Sequence, residues 1–148
     1  MSKNTLHTGI AVTVALVVVS AFFIFGVPFS TSPDATQVAS GQVVTQDEVV
    51  GTGPAAMPGD TLSVHYTGKL QDGTVFDSSA GRAPYTLVLG AGNVIPGWEQ
   101  GLVGMQAGGK RLLIIPPSLG YGANDYGPIP GNSTLVFDVE VVSITPAQ

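Results

Sequence analysis

The chain has 148 residues, 44% of them hydrophobic and only 10% charged, with no cysteine and two histidines, which leaves room for one domain and little else. The missing cysteines exclude a disulfide scaffold, a thiol redox enzyme, a cysteine protease, an iron–sulfur protein and a Cys-lipidated lipoprotein, and His7 and His65 alone are too few for the usual zinc or non-haem iron site. Five Lys/Arg stand against ten Asp/Glu with no basic patch, which argues against nucleic acid as a partner.

Between Lys3 and Asp34 the only ionisable side chain is His7. Within that stretch, residues 9–29 hold 16 hydrophobic residues out of 21 and no charge. As a helix they would reach about 31 Å, the thickness of a bilayer's hydrocarbon core. The segment is expected to be an uncleaved transmembrane signal-anchor. A cleaved secretory signal, which would leave the domain secreted or periplasmic, is the competing reading; the run ends in Phe29-Ser30-Thr31-Ser32-Pro33, a poor cleavage site. Lys3 before the segment places residues 1–8 in the cytoplasm and the remainder on the extracytoplasmic side. Residues 30–41 are small and polar without apolar periodicity, and read as a flexible linker.

From residue 42 the pattern has period two. Leu62, Val64 and Tyr66 alternate with polar neighbours, Tyr85, Leu87 and Leu89 repeat this, and Phe137, Val139 and Val141 alternate with Asp138 and Glu140. Lys110 to Ile115 is a further apolar strand. Asp72-Gly73 is a hairpin pair suited to a two-residue turn with positive φ at both positions, and Gly108-Gly109 marks another turn. Between them, Pro96 to Leu102 places Trp98 and Leu102 four apart on one face of a short helix ended by Gly104. Residues 42–148 therefore predict an α+β domain, an antiparallel sheet with one short helix lying on it.

Several residues have plain readings. Asp77-Ser78-Ser79 alone reads as a turn or cap, the aromatics of a small domain are core by default, and His65 is a strand surface residue. The serines have no nucleophile-elbow sequence, and Gly120 to Gly131 lacks the Lys-Ser/Thr of a phosphate loop; with Pro128 and Pro130 it reads as a flexible flap.

Four runs together carry a more specific signal. VHYTGKLQDGTVFDSS (64–79), VIPGWEQGLVGM (94–105), IPPSLGYGA (115–123) and TLVFDVEVV (134–142) resemble the FKBP-type peptidyl-prolyl cis–trans isomerases, in that family's order and close to its spacing. The resemblance implies a twisted antiparallel half-barrel sheet wrapped around the short helix, with a substrate pocket between them. It implies Asp77, Tyr66, Tyr121 and Phe137 as catalytic residues and Phe76, Arg82, Tyr85, Val94, Ile95, Trp98 and Ile129 as substrate-binding residues. Trp98 would form the pocket floor, the Ile95 N–H and the Tyr121 hydroxyl would bond substrate carbonyls, and Arg82 would pair with Asp77 and Tyr66. The loop from Gly122 to Ser133 is one residue shorter than in the commonest members.

The implied chemistry needs no cofactor and no metal. Rotating a peptide bond costs about 18–20 kcal/mol through lost amide resonance, and the twisted amide is less polar than the planar one. An apolar pocket that excludes water would therefore favour it. The expected activity is isomerisation of Xaa-Pro bonds in exported or unfolded polypeptides by a monomeric domain, with macrolides as further ligands. The alternative is a non-catalytic peptide-binding or chaperone module with the same groove, tethered to the membrane through residues 9–29.

Overall fold

The computed structural model describes residues 41–148. The expected cytoplasmic residues 1–8, the 9–29 anchor and nearly all of the 30–41 linker lie outside them. Among the described residues, no helix is long and apolar enough to cross a membrane.

The strands are β1 (Val44–Val49), β2 (Thr61–Leu70), β3 (Val75–Ser78), β4 (Tyr85–Val88), β5 (Lys110–Ile115) and β6 (Leu135–Thr145), with helix α1 (Pro96–Gly101) between β4 and β5. They form one six-stranded sheet in the order β1-β5-β6-β2-β3, with β4 beside β3 on the same edge of β2. Every pairing is antiparallel. The long strand β2 carries most of this arrangement: β6 pairs along its whole length, while β4 takes Thr61–Val64 and β3 takes Thr67–Lys69.

Alternation decides which side chains face the core. Leu62 and Val64 of β2 are buried, as are Leu135, Phe137, Val139 and Val141 of β6, and Leu87 and Leu89 join them from β4 and the residue after it. On β6 the intervening Asp138 and Glu140 point to the other face. A bulge between Ser63 and Val64 skips one residue of β6, and Val142 is turned out to solvent there.

The helix falls where the Trp98–Leu102 spacing predicts it. Pro96 occupies its first turn, suited by its fixed φ and missing N–H, and Leu102 caps it through an N–H bond to Trp98 O at 3.0 Å. Trp98 and Leu102 are both buried against the sheet. Close approach requires a glycine on this face: a Cβ at Gly97 would stand 2.5 Å from Ile115 Cγ2 of β5.

The Asp72-Gly73 pair does make the β2–β3 hairpin, with a different turn from the one predicted. Leu70 N–H donates to Thr74 O at 2.9 Å, closing a three-residue loop in which only Gly73 has positive φ, at 88°. Asp72 keeps negative φ, and its carboxylate accepts the Thr74 N–H at 2.9 Å instead.

Candidate active site

One cavity of about 250 Å³ opens beside α1, lined by Tyr66, Phe76, Asp77, Tyr85, Asn93, Val94, Ile95, Trp98, Tyr121 and Phe137. Nine of the residues named from the sequence meet here: the four placed as catalytic, with Phe76, Tyr85, Val94, Ile95 and Trp98. The rings lock edge to face. Trp98 lies 5.2 Å from Tyr66, 5.3 Å from Phe137 and 6.3 Å from Tyr85, with interplanar angles of 79° to 85°. Phe76 meets Phe137 at 5.5 Å and 88°. Such contacts set the positive edge of one ring against the negative face of another and fix each ring's tilt. Trp98 is only 4% exposed, and its indole N–H is buried without a partner among the described residues, so the floor presents aromatic surface.

Strict alternation would send Phe76 and Asp77 to opposite faces. A bulge prevents this: Gly68 pairs with Asp77 and Lys69 with Val75, which leaves Phe76 as the extra residue and brings both side chains to the cavity. Gly68 makes room for it, since a Cβ there would lie 2.6 Å from the Phe76 ring and 2.7 Å from that of Phe137.

Among the described residues Asp77 is the only charged one lining the cavity, and both its carboxylate oxygens are engaged. Oδ2 accepts the Tyr66 hydroxyl at 2.6 Å, and Oδ1 accepts Arg82 Nη2 at 3.0 Å and the Ser78 N–H at 2.8 Å. The Tyr66 hydrogen bond above all, then those of Arg82 and Ser78, hold the Asp77 carboxyl below its ordinary range against the opposing effect of partial burial. Tyr66 responds in the opposite sense. Burial first, then its bond to Asp77 and that group's charge, push its hydroxyl up to about 12. Tyr121 is raised as well, chiefly by burial. Asp77 is thus an anion and both tyrosines are neutral across the physiological range.

Arg82 does not line the cavity. It stands outside, mostly exposed, donating to Asp77 and to Ser78 O, and it meets Tyr66 only through Asp77. Ile129 is not among the residues lining the cavity; like Trp98 and Phe137 it is buried in the core. It anchors the 122–133 loop, exchanging backbone bonds with Tyr126 at 2.8 and 2.9 Å. The stretch from Gly120 to Gly131, expected as a flap, carries bonds of its own: Asn132 N–H donates to Gly122 O at 2.9 Å and Gly131 N–H to Asp125 Oδ1 at 2.7 Å.

The sequence reading missed two contributors. Asn93 lines the cavity from the tight turn before Val94, where nothing but its neighbour's position marked it. Glu99, next to Trp98 on α1, accepts the N–H groups of Gly90 and Gly92, the latter at 3.0 Å. This pins the turn that delivers Asn93, Val94 and Ile95. The residue's place one step from Trp98, facing a Gly-rich turn with unsatisfied N–H groups, was the available signal.

The cavity thus sets aromatic faces around one hydrogen-bonded carboxylate, beside a short helix lying on an antiparallel sheet. Residues 53–142 match the family model described as FKBP-type peptidyl-prolyl cis-trans isomerase, and the chain belongs to that family. FK506-binding protein 2 of Yarrowia lipolytica is 60% identical over 91 residues, 60% of this chain and 63% of the relative. FK506-binding protein 4 of Chaetomium thermophilum is 50% identical over 102 residues, 69% of this chain but 21% of the relative. Among solved structures, FkpA from Escherichia coli matches with a TM-score of 0.67 at 45% identity, covering 74% of this chain and 51% of that one. AtFKBP13 matches with a TM-score of 0.64 at 45% identity, covering 68% and 91%.

Proposed function

We propose that the domain is a peptidyl-prolyl cis–trans isomerase that accelerates Xaa-Pro rotation by stabilising the twisted amide in an apolar pocket. The observation that carries this reading is the state of Asp77, the cavity's one ionised group, whose oxygens are taken by Tyr66, Arg82 and the Ser78 N–H. With Asp77 anionic and Tyr66 and Tyr121 neutral, no group lining the cavity is poised to exchange a proton near pH 7.

The twisted amide has lost its charge separation, so leaving water costs it less than it costs either planar isomer. A pocket floored by Trp98 and walled by Phe76, Tyr85 and Phe137 then binds the transition state more tightly than the ground states. The proline ring sits on the Trp98 face. The Ile95 N–H, without a partner among the described residues, and the Tyr121 hydroxyl hold the flanking carbonyls, leaving the Xaa-Pro bond able to turn, and the field of Asp77 acts on its carbonyl carbon. Uncatalysed exchange takes tens of seconds or more, so even modest acceleration matters to folding.

We further propose that the substrates are exported or unfolded polypeptides and that the monomeric domain is held at the extracytoplasmic face of a membrane by residues 9–29. The uncharged run and the single preceding Lys3 support this reading. The relatives' names make macrolides such as FK506 ligands to try in the same pocket.

Purified residues 41–148, assayed on an Xaa-Pro peptide with a protease-coupled readout, should speed isomerisation. A folded fragment that leaves the rate at its uncatalysed value would make the domain a non-catalytic binding module. The full chain should remain in the membrane after alkaline carbonate washing; a mature protein beginning near Ser40 would replace the anchor with a cleaved signal.

A further inference from the structure

Tyr126 is a large aromatic side chain that is 61% exposed, and neither the core nor the cavity lining includes it. Its ring lies flat on that of Tyr121, with centroids 4.6 Å apart and planes 11° from parallel. This is the one stacked pair among the aromatic contacts of the described residues; the rings inside the pocket all meet edge to face or tilted.

Tyr121 needs such a partner. Its ring packs only partly against the core and its hydroxyl makes no hydrogen bond within the described residues, so no polar contact fixes where that hydroxyl points, and holding the ring in one rotamer costs conformational entropy. The loop supplies rigidity from the other side. Tyr126 and Ile129 exchange two backbone hydrogen bonds, Ile129 is sunk in the core, and Asp125 holds Gly131 N–H at 2.7 Å. The chain of support therefore runs from the core through Ile129 to Tyr126, and from its ring to that of Tyr121.

We propose that Tyr126 is a positioning residue that pre-orients the Tyr121 hydroxyl toward a substrate carbonyl by stacking on its ring, without itself touching the proline. The inference rests on the reading of Tyr121 as the hydroxyl that binds substrate. The stack is a contact between ring faces, so the phenol oxygen of Tyr126 is not required. What matters is that the hydroxyl of Tyr121 is already in place when substrate arrives, so that less freedom is lost on binding.

The test is a double-mutant cycle on the full-length chain in detergent micelles. It is read both as kcat/KM on an Xaa-Pro peptide by exchange spectroscopy and as the affinity of that peptide by Trp98 fluorescence. Tyr126→Ala should lower both about three- to tenfold, the range of an aromatic pair contact, and Tyr126→Phe should restore them. In a Tyr121→Phe background, Tyr126→Ala should cost less than about twofold, because the hydroxyl it would have positioned is gone. Losses that multiply in the double variant would overturn the proposal, since Tyr126 would then act on the fold or on substrate directly; so would an unaffected Tyr126→Ala. A chain that binds peptide without isomerising it would end the catalytic reading, while the affinity cycle would still decide the stack.

Discussion

Strands β2 and β6 present two faces built from alternate residues of the same segments, and the faces differ in kind. The inner one sends Tyr66 and Phe137 into the aromatic cavity of about 250 Å³. The outer one sends His65, Thr67, Asp138 and Glu140 into a groove of about 300 Å³ shared with Glu48, Ser79 and Lys110. The larger hollow is the less capable. Three of its charged residues are paired at the surface, Asp138 with Lys69 at 3.4 Å and Lys110 with Glu140 at 3.8 Å, and such exposed pairs are worth about 0–1 kcal/mol. His65, read from sequence as a surface residue, bonds Ser79 Oγ at 3.0 Å, and that oxygen also accepts the Tyr66 N–H at 2.9 Å. This pair braces the strand. Under the proposed function, the site is distinguished not by volume but by a single ion held in aromatic surroundings.

If that contrast is right, perturbations of the inner face should far outweigh those of the outer. The largest effect is expected from Trp98→Leu, which removes the floor. Peptide binding and isomerase activity should fall by more than tenfold, and stability should drop by less than the roughly 3–5 kcal/mol of a Trp→Ala change, because leucine fills part of the space. Thermal unfolding measured beside activity separates the two. Retained activity would mean that the floor lies elsewhere.

Asp77→Asn comes next, at roughly tenfold in kcat/KM, about the worth of one charge-assisted hydrogen bond. It has a spectroscopic companion. Ultraviolet titration should show the Tyr66 hydroxyl falling from about 12 only part of the way toward 10, since burial, the largest cause of its rise, remains. A Tyr66 titration unchanged by the substitution would break the proposed coupling.

The pH profile should be smaller still, in fact flat between about 6 and 9. Asp77 has a lowered folded-state pKa, so its stabilising contribution is complete above the ordinary carboxylate value and is lost only as pH falls below it. Tyr66 is raised, so its contribution holds below about 10 and disappears as pH climbs through about 12. A bell-shaped profile inside that window, without unfolding, would point to proton transfer and direct attention to His65. The smallest effects belong to the outer face. Lys110→Ala and Glu140→Gln should change stability by no more than about 0.5 kcal/mol and activity by less than twofold in the same assay.

The sequence made one part of this contrast readable and hid another. Alternation at Leu62, Val64, Phe137, Val139 and Val141 revealed the buried face because period two is a local property of the strand, and the Trp98–Leu102 spacing revealed the helix for the same reason. Family resemblance brought together nine lining residues whose meeting depends on strand order, which no local pattern contains. What stayed hidden depends on backbone irregularity. The bulge at Gly68 that lets consecutive Phe76 and Asp77 share one cavity breaks the very alternation used to read strands. Ile129, held by the two-residue bridge with Tyr126, lies in the core beside the lining residues, a placement no local pattern contains. Asp72 kept negative φ because its carboxylate capped the turn instead.

The central claim is that proline sits on Trp98 in the inner cavity. Trp98 is the only tryptophan in the chain, so its emission during titration with a proline peptide tests this most directly. Emission should change saturably, with a midpoint equal to the concentration at which the same peptide half-inhibits isomerisation of a second substrate. Emission that stays constant under a saturating peptide, while that peptide inhibits, would place the active surface away from Trp98 and contradict the account.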